Sequence, residues 1–211
     1  GGTSGIGFAL ARVFAEHHFN LVIVARKQEE LLQAKLTLEQ GYDITVQTIQ
    51  KDLIAELAAH ELHAELASKG IRIDILVNNA GFANYGKFQD ISLEKDSAVM
   101  HLNMINLTLL TKLFLKDFLA RNDGRILNVA STAAFQPGPF MSVYYATKAY
   151  VLFLGEAVAE ELRATGVTIT TLCPGPTKTA FQEKSAIKGT RLIKMGSPMG
   201  ADAVALLAYR G

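Results

Sequence analysis

Segments typical of buried strands alternate with segments typical of helices along the whole chain. The strand candidates are short, mostly apolar runs rich in β-branched residues, at residues 21–25, 44–48, 73–77, 125–129 and 167–172. The helix candidates lie between them, at residues 6–17, 29–40, 53–68, 99–119 and 144–164. Such alternation predicts an α/β fold in which helices cover both faces of a doubly wound parallel sheet.

A glycine-rich loop, residues 1–7, runs directly into the first helix candidate. Glycines allow a tight turn close to a ligand, and the free amides at a helix N-terminus attract a phosphate. A flexible N-terminus would look similar, but helix and strand follow at once, as in a nucleotide-binding βαβ unit. We therefore expect a dinucleotide site. We also expect that the first strand of the unit, before Gly1, is missing from this chain.

Tyr144 and Lys148 lie four residues apart in a helix candidate, and Ser131 lies shortly upstream. Side chains at i and i+4 emerge from the same face of a helix as neighbours. An ammonium beside a phenol favours the phenolate and lowers a pKa that starts at about 10. The pattern therefore predicts a proton donor and acceptor. An isolated Y-x-x-x-K is most often a surface tyrosine and lysine, so the interpretation depends on the other motifs.

Two further motifs follow strand candidates: N-N-A-G at residues 78–81 and P-G-P-T-K-T at residues 174–179. With these, the loop G-x-x-x-G-x-G, Ser131 and Y-x-x-x-K, the chain resembles the short-chain dehydrogenase/reductase family, in particular its generic bacterial members, over essentially all 211 residues. The resemblance implies one NAD(P)-binding Rossmann domain over residues 1–211. Because members of the family usually add a further strand and tail after a helix like that at residues 201–209, it also implies that the C-terminal end is missing from this chain. It also implies an oxidoreductase that transfers a hydride between a nicotinamide cofactor and a carbonyl or alcohol.

The resemblance assigns roles to four catalytic residues. Tyr144 is the general acid in reduction and the base in oxidation, and Ser131 hydrogen-bonds the reacting oxygen. Lys148 lowers the pKa of the tyrosine and holds the nicotinamide ribose, while Asn103 anchors a water next to the lysine. Tyr145, three residues from Lys148, is a rival for Tyr144, and Asn106 is a rival for Asn103.

The cofactor contacts that the resemblance implies come from segments spread along the chain. They are Gly1, Thr3, Ser4, Gly5, Ile6, Gly7, Arg26, Lys27, Asp52, Leu53, Asn79, Ala80, Gly81, Tyr144, Lys148, Pro174, Gly175, Thr177 and Thr179. Asp52 would also be the N-cap of the helix predicted from residue 53.

The end of the second strand indicates the type of cofactor. NAD enzymes place a carboxylate there to bind the ribose hydroxyls, whereas the extra phosphate of NADP needs a cation. Here Ala25 is followed by Arg26 and Lys27, without an acid. We therefore expect NADP(H) to be preferred over NAD(H). The alternative is that both cations are ordinary loop charges.

Composition excludes several partners. The net charge is +1 with acidic and basic residues interspersed, so there is no field to hold nucleic acid or an anionic membrane. No apolar run approaches the length needed to span a bilayer. The single cysteine, Cys173, allows no intrachain disulfide and suits a reducing, cytoplasmic location. The five histidines lack a ligand spacing and read as surface residues, so we predict no metal.

The substrate is expected to be an apolar carbonyl or alcohol compound. Residues 176–198 form an irregular stretch that the resemblance assigns to covering the substrate. The expected pocket is lined by Ala133, Ala134, Phe135, Pro137, Phe140 and residues 181–195. The helices predicted at residues 99–119 and 144–164 are apolar nearly all round, and the resemblance implies that they make the contact of a homodimer or homotetramer.

Two alternatives to such an enzyme remain open from the sequence. One is an NADP(H)-binding sensor or scaffold that regulates a partner without turnover; such proteins often lose the tyrosine or the lysine, and this chain keeps both. The other is a sugar epimerase or dehydratase, which shares Y-x-x-x-K. Those proteins tend to be longer and lack N-N-A-G.

Overall fold

A computed structural model describes residues 1–179, 181 and 198–211. The helices are α1 (Gly5–Glu16), α2 (Gln28–Gly41), α3 (Ala58–Ser68), α4 (Leu93–Met100), α5 (Leu107–Arg121), α6 (Ser142–Glu161) and α7 (Ala201–Arg210). The strands are β1 (Leu21–Ala25), β2 (Val46–Gln50), β3 (Ile75–Asn78), β4 (Gly124–Val129), β5 (Val167–Leu172), β6 (Thr177–Lys178) and β7 (Met199–Gly200). Two compact units contain them: a first unit of residues 1–52 and 175–211, and a second unit of residues 53–174.

The first unit is built on two parallel strands. β1 and β2 pair from Leu21 opposite Val46, and α1 and α2 pack on them over a core that includes Ala15, Leu31 and Leu38. β6 and β7 form a second, short parallel pair. α7 lies against α1, where the ring of Tyr209 meets Phe14 edge to face and stacks on His17. This packing places the glycine loop, the end of β1 and the segment after residue 175 in one unit.

The second unit holds a three-stranded parallel sheet in the order β3-β4-β5. β4 is central, and its strand is almost entirely buried. α6 packs against β5, and α3 lies against α5. The carboxyl ends of all three strands meet at one edge, where parallel α/β sheets bind their ligands. N-N-A-G follows β3, and Ser131 follows β4 at this edge.

One helix differs from the sequence expectation. The segment predicted at residues 99–119 is a continuous helix over Leu93–Arg121, in which α4 and α5 are joined by a π-helical turn, His101–Asn106. By length and composition it is apolar enough to cross a membrane, so the expectation that no apolar run approaches that length is wrong. Core helices of soluble proteins meet the same criterion, and α5 buries Leu110, Phe114 and Phe118 against its own unit.

The helix predicted from residue 53 also begins later than expected. Residues 53–57 form turns, and α3 begins at Ala58 with Leu57 at its N-cap position. The expected N-cap role of Asp52 is therefore wrong. The Asn106 side chain lies against this turn, and its Nδ2 donates to the carbonyls of Leu53 and Ala55.

Candidate active site

Three predicted catalytic side chains meet at the start of α6 in the second unit. Tyr144 lies in the first turn of the helix and Lys148 one turn later, with its Nζ 5.8 Å from the centroid of the tyrosine ring. Ser131 follows β4 in an extended conformation, and its Oγ accepts a hydrogen bond from the Ala133 amide at 3.1 Å. The Ser131 hydroxyl also hydrogen-bonds the Tyr144 side chain. Two hydroxyls and an ammonium thus share one site.

Burial sets the pKa values of this pair. Desolvation raises the pKa of Tyr144 to about 12, although the hydrogen bond with Ser131 opposes the shift. Desolvation also lowers the pKa of Lys148 to about 8. The net shift of the tyrosine pKa is upward because burial outweighs the lowering expected from the lysine, whose Nζ donates to the Val129 carbonyl at 2.7 Å. Tyr144 is therefore a neutral phenol, the form that can give up a proton.

Asn103 connects the segment after N-N-A-G to the catalytic helix. Its Nδ2 donates to the Phe82 carbonyl at 3.0 Å and to Thr147 Oγ1 at 3.1 Å, while its Oδ1 accepts from the Phe82 amide at 3.2 Å. Thr147 in turn donates to the Tyr144 carbonyl at 2.7 Å. The side chain of Asn103 comes from the π-helical turn, a feature frequent at functional sites.

The two rivals that the sequence left open have other contacts. Asn106 faces the turn at Leu53 and Ala55 rather than Phe82. The ring of Tyr145 fills the space beside Gly138, where even a Cβ would come within 2.3 Å of the ring. It meets the Tyr144 ring edge to face, with centroids 6.1 Å apart. Asn103 thus contacts Thr147, and Tyr144 contacts Ser131, whereas the described contacts of Asn106 and Tyr145 lie elsewhere.

The N-N-A-G segment lies directly against the catalytic side chains. A Cβ added at Gly81 would lie 3.0 Å from Asn103 Oδ1 and 3.7 Å from Lys148 Nζ. A larger residue would have to displace one of them. Gly81, the last of the predicted cofactor residues 79–81, therefore lies next to the buried lysine.

A buried polar network beneath the site was not anticipated from the sequence. Asn78 Nδ2 donates to Thr111 Oγ1 at 3.0 Å and to Asn128 Oδ1 at 2.9 Å, which ties the ends of β3 and β4 to α5. Thr147 was missed as well. The one signal for it in the sequence is its position inside Y-x-x-x-K, because only the tertiary structure shows that its hydroxyl faces Asn103.

The glycine loop of the first unit has the features of a phosphate site. Gly5, the first residue of α1, has φ of 56°, a conformation that strongly favours glycine. A Cβ there would lie 3.1 Å from Thr179 Cγ2, so the loop and the predicted contact Thr179 are neighbours. Ser4 makes no side-chain cap to the helix. These residues fit the phosphates of a dinucleotide, because the close-packed backbone and helix N-terminus attract anions.

The two cations after β1 differ in their contacts. Lys27 Nζ pairs with Glu30 Oε1 at 3.0 Å, and Thr3 Oγ1 donates to Glu30 Oε2 at 3.2 Å. In the described ranges, no carboxylate pairs with Arg26. Arg26 is thus the cation better placed to bind an added phosphate, while Glu30 already neutralises Lys27.

The remaining predicted contacts have defined positions, each within its own unit. In the first unit, Thr177 Oγ1 donates to the Gly175 carbonyl at 2.9 Å, and Asp52 is exposed. In the second unit, the Leu53 carbonyl accepts from Asn106, and the Pro174 carbonyl accepts from the Thr132 amide at 2.9 Å. Most of the expected substrate-covering segment, residues 180 and 182–197, lies outside the described residues.

A cleft in the second unit contains Tyr144, but its walls differ from those expected. It is lined by Asn84, Gly86, Phe88, Ile91, Asp96, Val99, Met141, Ser142, Val143 and Tyr144. The empty space within it is about 240 Å³ when the solvent at its opening is included. None of the residues expected between 133 and 140 lines it: Ala133 and Ala134 are buried, whereas Phe135 is exposed. Phe140 instead stacks on Tyr85, with centroids 5.8 Å apart, and has φ of 66°.

The histidines and the cysteine have structural contacts. His63 and His101 are half-buried rather than surface residues, and His63 Nε2 lies 2.7 Å from Asp117 Oδ2. Within the described ranges, no three His, Cys, Asp or Glu residues are grouped as metal ligands would be. Cys173 packs beside Ala130 and Val151, and burial raises the pKa of its thiol.

A sequence profile described as short chain dehydrogenase matches residues 1–188. The chain belongs to this family. Its relatives include an uncharacterized oxidoreductase, YvrD, of Bacillus subtilis, 36% identical over 181 residues, which are 85% of this chain and 67% of the relative. A very-long-chain 3-oxoacyl-CoA reductase of Bos taurus is 31% identical over 179 residues, 82% of this chain. This chain spans 56% of that relative.

The similarity to this family extends to the three-dimensional structure. A short-chain dehydrogenase from Sphingobium yanoikuyae, solved in complex with NADPH, is 31% identical and matches with a TM-score of 0.92 over 100% of this chain and 81% of that chain. The predicted fold class, a Rossmann-like α/β fold with parallel strands, is confirmed by this match. The predicted short-chain dehydrogenase/reductase family and the oxidoreductase class are confirmed too.

Proposed function

We propose that this short-chain dehydrogenase is an NADP(H)-dependent carbonyl reductase or alcohol dehydrogenase with Tyr144 as its general acid and base. The observation that carries the proposal is the contact between the half-buried Tyr144 phenol and the Ser131 hydroxyl, one helical turn from the Lys148 ammonium. Tyr144 is also one of the residues that line a cleft in the same unit.

In this mechanism a bound nicotinamide supplies or accepts the hydride. During reduction Ser131 donates a hydrogen bond to the carbonyl oxygen, and Tyr144 donates the proton that this oxygen needs as its charge develops. The Lys148 ammonium stabilises the phenolate that Tyr144 leaves behind. Asn103 and Thr147 hold the first turn of α6 in place through their hydrogen bonds to Phe82 and Tyr144. Oxidation uses the same groups in reverse.

The test of this function is NADPH oxidation by the protein with a panel of ketones and aldehydes, in parallel with NADP⁺ reduction by the corresponding alcohols. Apolar substrates are expected to be preferred, since Phe88, Ile91 and Val99 line the cleft. The bovine relative's name, a 3-oxoacyl-CoA reductase, supports a 3-oxo compound as one member of the panel. Absence of turnover with the whole panel would refute the proposal.

For the cofactor, we propose that Arg26 binds the extra phosphate of NADP(H). The bound NADPH of the Sphingobium yanoikuyae structure supports this choice. The double variant Ala25→Asp, Arg26→Ser is expected to shift the ratio of kcat/KM for NADPH over NADH by about 10- to 100-fold toward NADH, because it removes an attractive charge and adds a repulsive one. Steady-state kinetics with both cofactors measure this ratio.

The control for this variant is Lys35→Ser, which removes another cation of the first unit that pairs with Glu39 on α2. Its cofactor ratio should equal that of the unmodified protein. An unchanged ratio in the double variant would show that the phosphate binds elsewhere.

We also propose that the outer face of α6 is a subunit contact of a homodimer or homotetramer. Phe153 on this helix is 67% exposed within the chain. Phe153→Glu is expected to reduce the molar mass measured by light scattering to that of a smaller assembly, because a charge would be buried in the contact. Leu36→Glu, at an exposed apolar residue of α2, is the matched control and should leave the mass unchanged.

A further inference from the structure

The cleft beside Tyr144 contains a hydrogen-bond donor that the proposed chemistry does not use. The Nδ2 atom of Asn84 is buried, and it has no hydrogen-bond partner in the described part of the chain. Asn84 lines the same cleft as Tyr144. A buried donor without a partner is unfavourable, and such atoms in native proteins call for an explanation. A ligand in the cleft would supply the missing acceptor.

The walls around Asn84 limit what that ligand group can be. Most of the lining is apolar, with Phe88, Ile91, Val99 and Met141. Asp96 is the acidic residue of the lining, and no cation pairs with it in the described ranges. Its carboxylate would repel an anionic group in this small, partly desolvated space. The acceptor that fits Asn84 is therefore neutral.

We infer that Asn84 is a specificity-determining residue, which donates a hydrogen bond to a neutral acceptor on the substrate, such as the carbonyl of an ester, thioester or amide group. The inference rests on the proposed function, since the same substrate presents its reacting carbonyl to Tyr144. A site built around an unpaired donor discriminates strongly against analogues that lack the matching acceptor. The enzyme thus prefers oxo-esters and related compounds over plain ketones of equal length.

Matched substrates test this directly. The methyl esters of 2-, 3- and 4-oxo acids place the acceptor at increasing distances from the reacting carbonyl, and each is paired with the plain ketone of the same chain length. With NADPH, the unmodified protein should show a higher kcat/KM for the ester in at least one pair, by about 5- to 150-fold. The pair with the largest preference then defines the distance from Tyr144 to Asn84 in the bound state.

Two variants separate the amide donor from the shape of the side chain. Asn84→Leu keeps the volume without a donor, and Asn84→Asp keeps the shape but replaces the donor by an acceptor. Both should abolish the ester preference, so that the ratio of kcat/KM for the ester over that for the paired ketone falls to about 1. Tyr85→Phe, the neighbouring residue, does not line the cleft and should retain the preference.

Asp96→Asn tests the charge argument. It should raise the ratio of kcat/KM for the free 3-oxo acid over that for its methyl ester by roughly tenfold, because only the acid carries a charge to be repelled.

The outcomes distinguish a failure of the role of Asn84 from a failure of the proposed reductase function. If the unmodified protein reduces ketones but shows no ester preference, or keeps that preference in both Asn84 variants, the role of Asn84 is refuted and the reductase stands. If neither ketones nor esters are reduced, the proposed function falls and the inference falls with it.

Discussion

Tyr144→Phe is expected to lower kcat by about 10²- to 10⁴-fold, the usual contribution of a positioned proton donor. The variant keeps the ring, its burial and its contact with the Tyr145 ring, and loses only the hydroxyl that hydrogen-bonds Ser131. NADPH binding should therefore be nearly unchanged. Steady-state kinetics with a ketone, together with titration of NADPH fluorescence, measure the two quantities separately.

Tyr145→Phe is the matched control, because it removes a phenol hydroxyl one residue away. The Tyr145 ring packs beside Gly138, and the described contacts of its neighbour Tyr144 with Ser131 do not depend on it. Its kcat should remain within about threefold of that of the unmodified protein. If Tyr145→Phe were the more damaging change, the assignment of the proton donor would have to be reversed.

The placement of Tyr144 and Lys148 could be predicted because it depends on local geometry. Residues four apart on a helix share a face whatever the helix packs against. The pKa values could not be predicted this way, because they depend on burial, which tertiary packing decides. The sequence shows an ammonium near a phenol. Only the structure shows that the Val129 carbonyl binds that ammonium and that desolvation raises the pKa of Tyr144.

The boundaries of the strands show the same difference between what local sequence predicts and what tertiary packing decides. The strand predicted at residues 44–48 is β2, Val46–Gln50, because its pairing with β1 begins at Val46 opposite Leu21. Apolar pattern alone favours including Ile44, whereas the register of a parallel pair depends on a strand distant in sequence. The walls of the cleft were missed for a related reason. Residues 84–99 approach Tyr144 only through tertiary structure, and no pattern in that stretch predicts a site.

Lys148→Met is expected to separate activity from stability. The variant loses the ammonium that stabilises the Tyr144 phenolate during turnover, so kcat should fall by about 10²-fold or more. The folded protein, in contrast, should become more stable at pH 7. Burial lowers the pKa of Lys148 to about 8 from an ordinary 10.5, which corresponds to about 3 kcal/mol of unfavourable free energy while the lysine is charged. Methionine has a similar length and carries no charge to desolvate.

The lost hydrogen bond to the Val129 carbonyl offsets about 1 kcal/mol of this gain, so a net stabilisation of about 2 kcal/mol is expected at pH 7. The sign of the difference depends on pH. Between about pH 8 and 10.5 the unfolded chain binds more protons at Lys148 than the folded protein does, so the unmodified protein gains stability as the pH rises through this window. The Lys148→Met variant has no lysine at this position and does not gain this stability. Above this window only the lost hydrogen bond remains, and the variant should be the less stable protein.

Denaturant unfolding of both proteins at pH 7 and at pH 10.5 measures the difference in stability, because other titrating groups affect both proteins equally. A variant that is less stable at both pH values would show that the buried lysine stabilises the fold.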